Sequence, residues 1–228
     1  MFLRNRENYV DFCNQQGENM TSKLIDMNNY ARKEHFDYFR TMQYPYAGVT
    51  CDIEVSKLLE YSRANNRSFY LTVLHAVALA ADGVPELRQR INGEKIIEYS
   101  ECPTSHIELK PDKTYCYCTL HHHMSLNEYY AQAEQARIAC VSNGIEESGD
   151  VDSMYFISTV PWIHYTALVQ PVAGGDESNP RFTWGKYEES TDGKIFMPVS
   201  ILAHHALVDG IQIAQFYDNL RKEIEEYA

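Results

Sequence analysis

The sequence has no apolar run long enough to cross a membrane and no excess of positive charge. Its longest apolar candidate, Leu71 to Ala81, is interrupted by His75 and is shorter than the about 18 residues that a membrane span needs. The 228 residues include 20 Lys and Arg against 32 Asp and Glu, which gives a formal net charge of −12. Contacts to phosphate need clustered Lys and Arg. We therefore expect neither a membrane nor a nucleic acid as a partner.

A secretory signal is also missing from the sequence. Residues 1–19 are polar and lack the apolar core of such a signal, which predicts a cytoplasmic protein. These residues are expected to form an N-terminal arm, with an ordinary N-terminal helix as the alternative. No repeat or long linker divides the remainder, so we predict a single domain over residues 20–228. The hydrophobic fraction of 44% and the charged fraction of 23% are those of a globular protein.

Patterns typical of metal sites are weak in this chain. Cys116 and Cys118 are separated by one residue and not by the two of a zinc or thioredoxin-like motif. With no export signal, we expect all six cysteines to be free thiols in preference to disulfides. His121, His122 and His123 are consecutive, and consecutive side chains diverge in a strand. No metal site is therefore predicted.

Hydrophobic periodicity predicts helices and strands that do not alternate strictly. Ser125 and Glu128 have the spacing of a capping box at a helix start. The predicted helices cover residues 56–66, 70–82, 125–141 and 209–227. The predicted strands cover residues 96–99, 105–109, 114–120, 154–159, 165–169, 181–188 and 196–203. This mixture indicates an α+β fold, with a mixed β-sheet flanked by helices.

The strongest chemical signal is the segment ILAHHALVDG at residues 201–210. An apolar strand leads into His204 and His205, and Asp209 stands at the start of the last helix, where it can cap that helix. A neutral imidazole held at a strand end suits removal of a proton from a hydroxyl group at neutral pH. Adjacent strand residues point to opposite faces, so at most one of the two histidines belongs to a given site. A plain strand end is the alternative interpretation.

This segment resembles the HHxxxDG signature of acyltransferases that use coenzyme A thioesters. That signature occurs in chloramphenicol acetyltransferases, in the catalytic domains of dihydrolipoamide acyltransferases and in condensation domains of peptide synthetases. Further blocks resemble the chloramphenicol acetyltransferase family in order and spacing from about residue 24 to residue 227. They are RKEHF at 32–36, STVPW at 158–162, FTWGKY at 182–187 and MPV at 197–199.

The resemblance implies a role for each matching residue. His205 would be the general base, and Ser158 would donate a hydrogen bond to the oxyanion of the tetrahedral intermediate. Asp209 would pair with Arg32 and hold the backbone of the site without taking the proton. Thr183 would help to solvate the transition state.

The resemblance also implies a co-substrate and an assembly. Lys186 and Ser158 would lie toward acetyl-coenzyme A, which is a co-substrate, and no permanently bound cofactor is expected. The family forms homotrimers whose active sites lie between subunits. His205 would therefore face residues of a neighbouring chain.

The expected acceptor pocket departs from the family pattern. Phe39 retains an aromatic side chain, and Tyr44 and Tyr46 offer further aromatic surface. Gln43 and Gln170 stand where the family usually has apolar residues. The walls of this pocket therefore match the family less well than the catalytic residues do.

These observations predict an acetyl-coenzyme A-dependent O-acetyltransferase that transfers the acetyl group directly in a ternary complex. The expected acceptor is the primary hydroxyl of chloramphenicol, which would confer antibiotic resistance, or a related small alcohol. One alternative is a dihydrolipoamide acyltransferase core, but we read no lipoyl domain or flexible linker in the sequence. The others are a non-catalytic homologue that binds a small molecule and an acyltransferase acting on an unrelated metabolite.

Overall fold

The structure is a computed structural model that describes residues 21–110, 112–143 and 150–227. The expected N-terminal arm, residues 1–19, lies outside the described residues. The helices are α1 (Lys33–Phe39), α2 (Ser56–Ala64), α3 (Phe69–Asp82), α4 (Leu126–Asn143) and α5 (Gly210–Glu225). The strands are β1 (Ser22–Leu24), β2 (Tyr46–Glu54), β3 (Gln89–Asn92), β4 (Lys95–Tyr99), β5 (Thr104–Leu109), β6 (Tyr115–Leu120), β7 (Tyr155–Val160), β8 (Arg181–Gly185), β9 (Glu188–Glu189) and β10 (Ile195–His204).

A seven-stranded sheet forms the centre of the fold. Its order is β2-β10-β8-β7-β5-β6, and β9 pairs with β10 beside this path. Strand β10 is antiparallel to β2 and β8, whereas β7 is parallel to both β5 and β8. A separate three-stranded antiparallel sheet has the order β1-β4-β3. The predicted α+β fold with a mixed sheet and flanking helices is thus confirmed.

Two helices contribute most of the apolar surface that covers this sheet. Helix α3 has buried residues on nearly all sides, as its apolar sequence predicts. Helix α5 is amphipathic and buries Phe216 and Leu220. The hydroxyl of Tyr217 lies 2.8 Å from the carbonyl oxygens of Val49 and Val199, so it ties α5 to β2 and β10. Burial of each large side chain contributes about 1.5–3 kcal/mol.

Side chains at the helix starts explain where two of the helices begin. The backbone and hydroxyl of Ser125 both donate to a carboxylate oxygen of Glu128, at 3.0 and 2.6 Å, which confirms the predicted capping box before α4. Asp209 caps α5, and its backbone N–H donates to the side chain of Gln212 at 3.0 Å. The last helix therefore begins where its sequence predicts.

The strand predicted over residues 165–169 is wrong, because these residues form an extended loop. Strand β7 is hydrogen-bonded to β5 and β8, and β8 is also paired with β10. The loop that follows β7 therefore has no adjacent free strand edge to join. Strand β2, which the sequence analysis did not predict, pairs with β10 over nine residues. Gly48 permits this pairing, since a Cβ there would lie 2.7 Å from the carbonyl oxygen of Ile201.

The expectation of free thiols is wrong for two cysteines, because Cys116 and Cys140 form a disulfide. Cys116 lies on β6 and Cys140 on α4, and the two elements pack together with the buried thiol of Cys118. Their Cα atoms are 5.9 Å apart, which is within the range that a disulfide bridges. The contact between α4 and β6 creates this pair, and the cysteine spacing alone does not indicate it.

The argument that His121, His122 and His123 diverge is also wrong. These residues follow the end of β6 and lie in the turn before α4, where side chains do not alternate between two faces. The Nε2 atoms of His122 and His123 both approach one carboxylate oxygen of Asp82. Among the described residues, no helix is long and apolar enough to cross a membrane.

We expect loss of the Cys116–Cys140 disulfide to lower the free energy of unfolding by about 3 kcal/mol, because the bond closes a loop between cysteines 24 residues apart. Denaturant unfolding with and without a reductant measures this difference. A Cys140→Ala variant should be insensitive to the reductant and is the control. Alkylation of all six cysteines in the denatured, unreduced protein would contradict the disulfide.

Candidate active site

The long strand β10 places His205 at one end of the sheet. Strand β10 lies between β2 and β8 and is hydrogen-bonded to both. The backbone N–H of His205 donates to the carbonyl oxygen of Pro45 at 2.8 Å and so continues the pairing past the end of the strand. The backbone that carries His205 is therefore anchored to two segments.

The ring of His205 is held in one protonation pattern. Its Nδ1 lies 2.9 Å from the carbonyl oxygen of Val208. A carbonyl can only accept a hydrogen bond, so in the neutral ring Nδ1 carries the proton and Nε2 keeps its lone pair. Phe39 stacks on the ring with a centroid distance of 3.9 Å. The half-buried imidazole thus offers one fixed nitrogen that can accept a proton.

Arg32 and Asp209 hold the turn around His205. A guanidinium nitrogen of Arg32 lies 3.6 Å from an oxygen of Asp209, and another donates to the carbonyl oxygen of His205 at 3.3 Å. The hydrogen bond from the Gly210 N–H, followed by the charges of His205 and Arg32, lowers the pKa of Asp209. Asp209 therefore remains ionised at neutral pH as a cap of α5 and a partner of Arg32.

His204 points to the other face of the strand and is 1% exposed. Its Nδ1 accepts a hydrogen bond from the Ala206 N–H at 3.2 Å, so its Nε2 carries the proton and donates to the carbonyl oxygen of Gly175 at 2.9 Å. Burial lowers the pKa of His204. Both ring nitrogens of His204 are thus hydrogen-bonded to backbone groups.

Three of the five residues predicted for the acceptor pocket lie around these histidines. Phe39 stacks on His205, and the ring of Tyr46 lies edge-on to His204 at 5.4 Å. The hydroxyl of Tyr46 donates toward the carbonyl oxygens of Gly174 and Glu177, and burial raises its pKa to about 12. Tyr44 lies 5.1 Å from Tyr46 and is about half exposed.

Gln43 precedes Tyr44 in the chain and is exposed. No contact of its side chain with either histidine is seen among the described residues.

Ser158 lies in a second group of residues farther along the sheet. It is aligned with Thr183 on β8, and Thr183 is aligned with Ser200 on β10 and through it with Thr50 on β2. These residues form a row of four hydroxyl groups across four strands, which we call the hydroxyl row. The Thr183 hydroxyl donates to the side-chain oxygen of Gln170 at 2.9 Å. Gln170 thus lies with Ser158 and not beside His205 of the same chain.

The loop after β7 lies against the hydroxyl row. The Tyr165 hydroxyl donates to the carbonyl oxygen of Thr183 at 2.9 Å. Gly185 permits this close approach, because a Cβ there would lie 2.7 Å from the carbonyl oxygen of Ile163. Lys186 follows directly, with its backbone N–H bonded to Ile163 and its side chain exposed. This arrangement explains the glycine of the FTWGKY block.

A single chain does not bring His205 and Ser158 together. His205 lies five residues beyond Ser200, which corresponds to about 17 Å along the strand, and Ser158 lies two strands from Ser200, about 10 Å across the sheet. Two groups about 20 Å apart cannot contact one carbonyl carbon. The candidate site residues of one chain therefore fall into two separate groups, one around His205 and one around Ser158, which we call the half-sites.

Two residues that support these half-sites were missed by the sequence analysis. Gln212 completes the capping box with Asp209, and the spacing D-x-x-Q could have indicated it. Tyr165 contacts Thr183 and Ser200 through its hydroxyl. No local pattern indicates that role, because it depends on the path of the loop over the sheet.

Comparisons with known proteins show the family of this chain. The sequence model of one family, chloramphenicol acetyltransferase, matches residues 20–221. The chain belongs to the chloramphenicol acetyltransferase family. It is therefore an acyltransferase enzyme, as the motifs predict.

Relatives with curated descriptions match along most of their length. A chloramphenicol acetyltransferase of Klebsiella sp is 27% identical over 207 residues, covering 89% of this chain and 94% of the relative. One of Bacillus pumilus is 30% identical over 214 residues, covering 89% and 93%.

Solved structures confirm the fold. A chloramphenicol acetyltransferase structure covers 90% of this chain and all of its own, with a TM-score of 0.78 and 24% identity. The cubic core of a pyruvate dehydrogenase multienzyme complex covers 84% of this chain and 85% of its own, with a TM-score of 0.63 and 16% identity. At these identities the likeness concerns the fold alone.

We expect His204→Ala to lower the free energy of unfolding by about 2–4 kcal/mol, because it leaves the Ala206 N–H and the Gly175 carbonyl without partners in a buried place. His35→Ala, at an exposed position of α1, is the matched control and should change stability by less than about 0.5 kcal/mol. Denaturant unfolding of both variants measures the effect. Equal stability of the two variants would contradict a structural role of His204.

Proposed function

We propose that this protein is an acetyl-coenzyme A-dependent O-acetyltransferase that transfers the acetyl group directly within a ternary complex. The observation that carries the proposal is the His205 ring, whose Nδ1 is bound to a carbonyl and whose Nε2 keeps its lone pair. Nε2 removes the proton of an acceptor hydroxyl, and the hydroxyl oxygen attacks the thioester carbonyl carbon. The tetrahedral intermediate collapses by breaking the carbon–sulfur bond, and the thiolate of coenzyme A leaves.

Ser158 donates a hydrogen bond to the oxyanion of that intermediate, and Thr183 helps to solvate it. Both belong to the hydroxyl row, and the backbone of each is fixed by strand pairing. A fixed donor acts most strongly where charge develops, and losing one such donor costs about 10²–10³ in turnover. Lys186, exposed just after the end of β8 and three residues after Thr183, would attract the anionic part of coenzyme A.

We further propose that two chains complete each site in a homotrimer. The separation of about 20 Å between His205 and Ser158 in one chain supports this, because one reacting carbonyl must meet both groups. A neighbouring chain that presents its Ser158 to His205 satisfies that requirement. A ring in which each chain offers both halves closes with three equivalent sites.

Exposed apolar side chains beside each half-site support the same assembly. Tyr38, which contacts Phe39, and Tyr44, which contacts Tyr46, are 63% and 52% exposed. Trp162 and Val169, in the loop beside the hydroxyl row, are 74% and 92% exposed. Large exposed apolar side chains in two regions of one chain suit a cyclic interface between protein chains.

Mixed oligomers test the shared site. His205→Ala and Ser158→Ala chains with different affinity tags are co-expressed and purified through both tags. Each variant alone should be nearly inactive, because it lacks the base or an oxyanion donor at every site. A mixed trimer has one interface with an intact His205 and an intact Ser158, so about one third of wild-type turnover should return.

A pair of His205→Ala chains carrying the two tags is the control and should stay inactive. Light scattering should give the mass of three 26.4 kDa chains. An active monomer, or inactive mixed trimers, would show that both groups act within one chain.

We propose chloramphenicol, or a small alcohol related to it, as the acceptor. Phe39 offers aromatic surface against the His205 ring, whereas Tyr46 lies beside His204 and Tyr44 beside Tyr46. We place the exposed amide of Gln43, which precedes Tyr44 in the chain, at the acceptor. An amide that loses its hydrogen bonds against an apolar acceptor costs about 1–3 kcal/mol. The Gln170 oxygen already accepts from Thr183 at 2.9 Å, so we place this cost at Gln43.

We expect chloramphenicol acetylation with a high KM, and Gln43→Leu should lower that KM at least about 5-fold. Gln215→Leu, at an exposed position of α5, is the matched control and should leave the KM unchanged. Steady-state kinetics of the wild type and of both variants measures the three KM values for chloramphenicol. If chloramphenicol is not acetylated while another alcohol is, the acyltransferase proposal stands and chloramphenicol is excluded as the acceptor.

A release assay for coenzyme A with a panel of alcohols separates action on chloramphenicol from the alternative, an acyltransferase acting on an unrelated metabolite. Action in the cytoplasm and a role in antibiotic resistance remain predictions from the sequence. The Cys116–Cys140 disulfide weighs against a strongly reducing compartment, since disulfides rarely persist there.

A further inference from the structure

A cluster of imidazole and carboxylate groups lies outside both half-sites. Asp82 ends α3, and His122 and His123 lie in the turn between β6 and α4. The Nε2 atoms of both histidines are 2.7 Å from the same oxygen of Asp82, Oδ2. These three atoms all lie within 4.8 Å of one another. Two segments of the chain that are distant in sequence thus direct three potential ligand atoms to one point.

A second carboxylate lies beside this cluster. An oxygen of Glu101 lies 3.8 Å from Nε2 of His123. In the part of the chain that the structure describes, no Lys or Arg pairs with the Asp82 carboxylate. Arg88 instead donates to the backbone carbonyl of Asp82 at 3.0 Å. Two carboxylates with two neutral imidazoles carry a charge of about −2, which a divalent cation balances.

Asp82 is oriented as a ligand must be. Its other oxygen, Oδ1, accepts from the Tyr155 hydroxyl at 2.7 Å and from the Cys102 N–H at 3.3 Å, so only Oδ2 faces the histidines. Outer partners that fix a ligand in this way are typical of metal sites.

We propose that Asp82, His122, His123 and Glu101 bind one divalent transition-metal ion of the zinc type. Two imidazole nitrogens with carboxylate oxygens are a ligand set that zinc accepts, at distances of about 2.0–2.2 Å in tetrahedral geometry. Adjacent ligand atoms of such a site are about 3.3 Å apart. The nitrogens must therefore withdraw from Oδ2 by roughly 0.6 Å, which side-chain rotations allow.

The exposure and the hydrogen bonds of the two histidines determine how a metal ion enters the site and how tightly it binds. His123 has a side-chain exposure of 47%, which opens a path for an ion, whereas His122 is 3% exposed. The Nδ1 atom of His122 is buried without a partner, so this ligand lacks the outer hydrogen bond that strengthens most metal-bound imidazoles. We expect a dissociation constant on the order of 1 µM, weaker than that of a closed structural zinc site.

Titration of the metal-free full-length protein with Zn²⁺ in a calorimeter tests the site. The wild type should bind one ion per chain at the stated affinity, and saturating Zn²⁺ should raise the melting temperature by about 5 °C. His123→Gln should weaken this binding at least about 100-fold, because it removes an accessible ligand. His35→Gln, an exposed histidine on α1, is the matched control and should bind as the wild type does.

His205→Ala should also retain the site, which separates it from binding at the catalytic histidine. Circular dichroism without metal checks that each variant is folded. Should His123→Gln fail to fold, Glu101→Gln serves as the test and should weaken binding about 10-fold. A wild-type dissociation constant above about 100 µM would overturn the proposal, as would equal affinities of the folded variant and of His35→Gln.

Discussion

The hydrogen bond between Nδ1 of His205 and the carbonyl oxygen of Val208 decides which nitrogen of the ring is available for proton transfer. It requires a tight turn between the end of β10 and the start of α5. Asp209 caps the helix on one side of that turn, and Arg32 binds both Asp209 and the backbone of His205. A substitution that removes any of these contacts would therefore change the orientation of the His205 ring, although His205 itself is unchanged.

Local physical rules were sufficient to predict much of the fold. The apolar character of residues 70–82 predicts a buried helix, and α3 covers the same residues within one position at its start. Ser125 and Glu128 predict the start of α4 because a capping box needs only a fixed spacing. The opposite orientations of His204 and His205 follow from strand geometry, although that geometry alone does not indicate which of the two rings is buried.

The features that were missed or predicted wrongly depend on contacts between segments distant in sequence. Whether residues 165–169 form a strand depends on a free neighbouring edge, and β7 and β8 have none. The convergence of His122 and His123 on Asp82 depends on the end of α3 meeting the turn after β6. The placement of His205 and Ser158 in separate half-sites also depends on the strand order, and the family resemblance, not periodicity, predicts a site shared between chains.

The disulfide has a consequence for the histidine cluster, because Cys116 and Cys140 enclose the turn that carries His122 and His123. A covalent closure restricts that turn before any ion arrives, so less conformational entropy is lost when the ligands converge. Thermodynamic linkage makes the effect mutual, and an ion held by the histidines would in turn favour the oxidised cysteines. The oxidation state of Cys116 and Cys140 and the occupancy of the proposed metal site would thus be coupled, because one loop carries both.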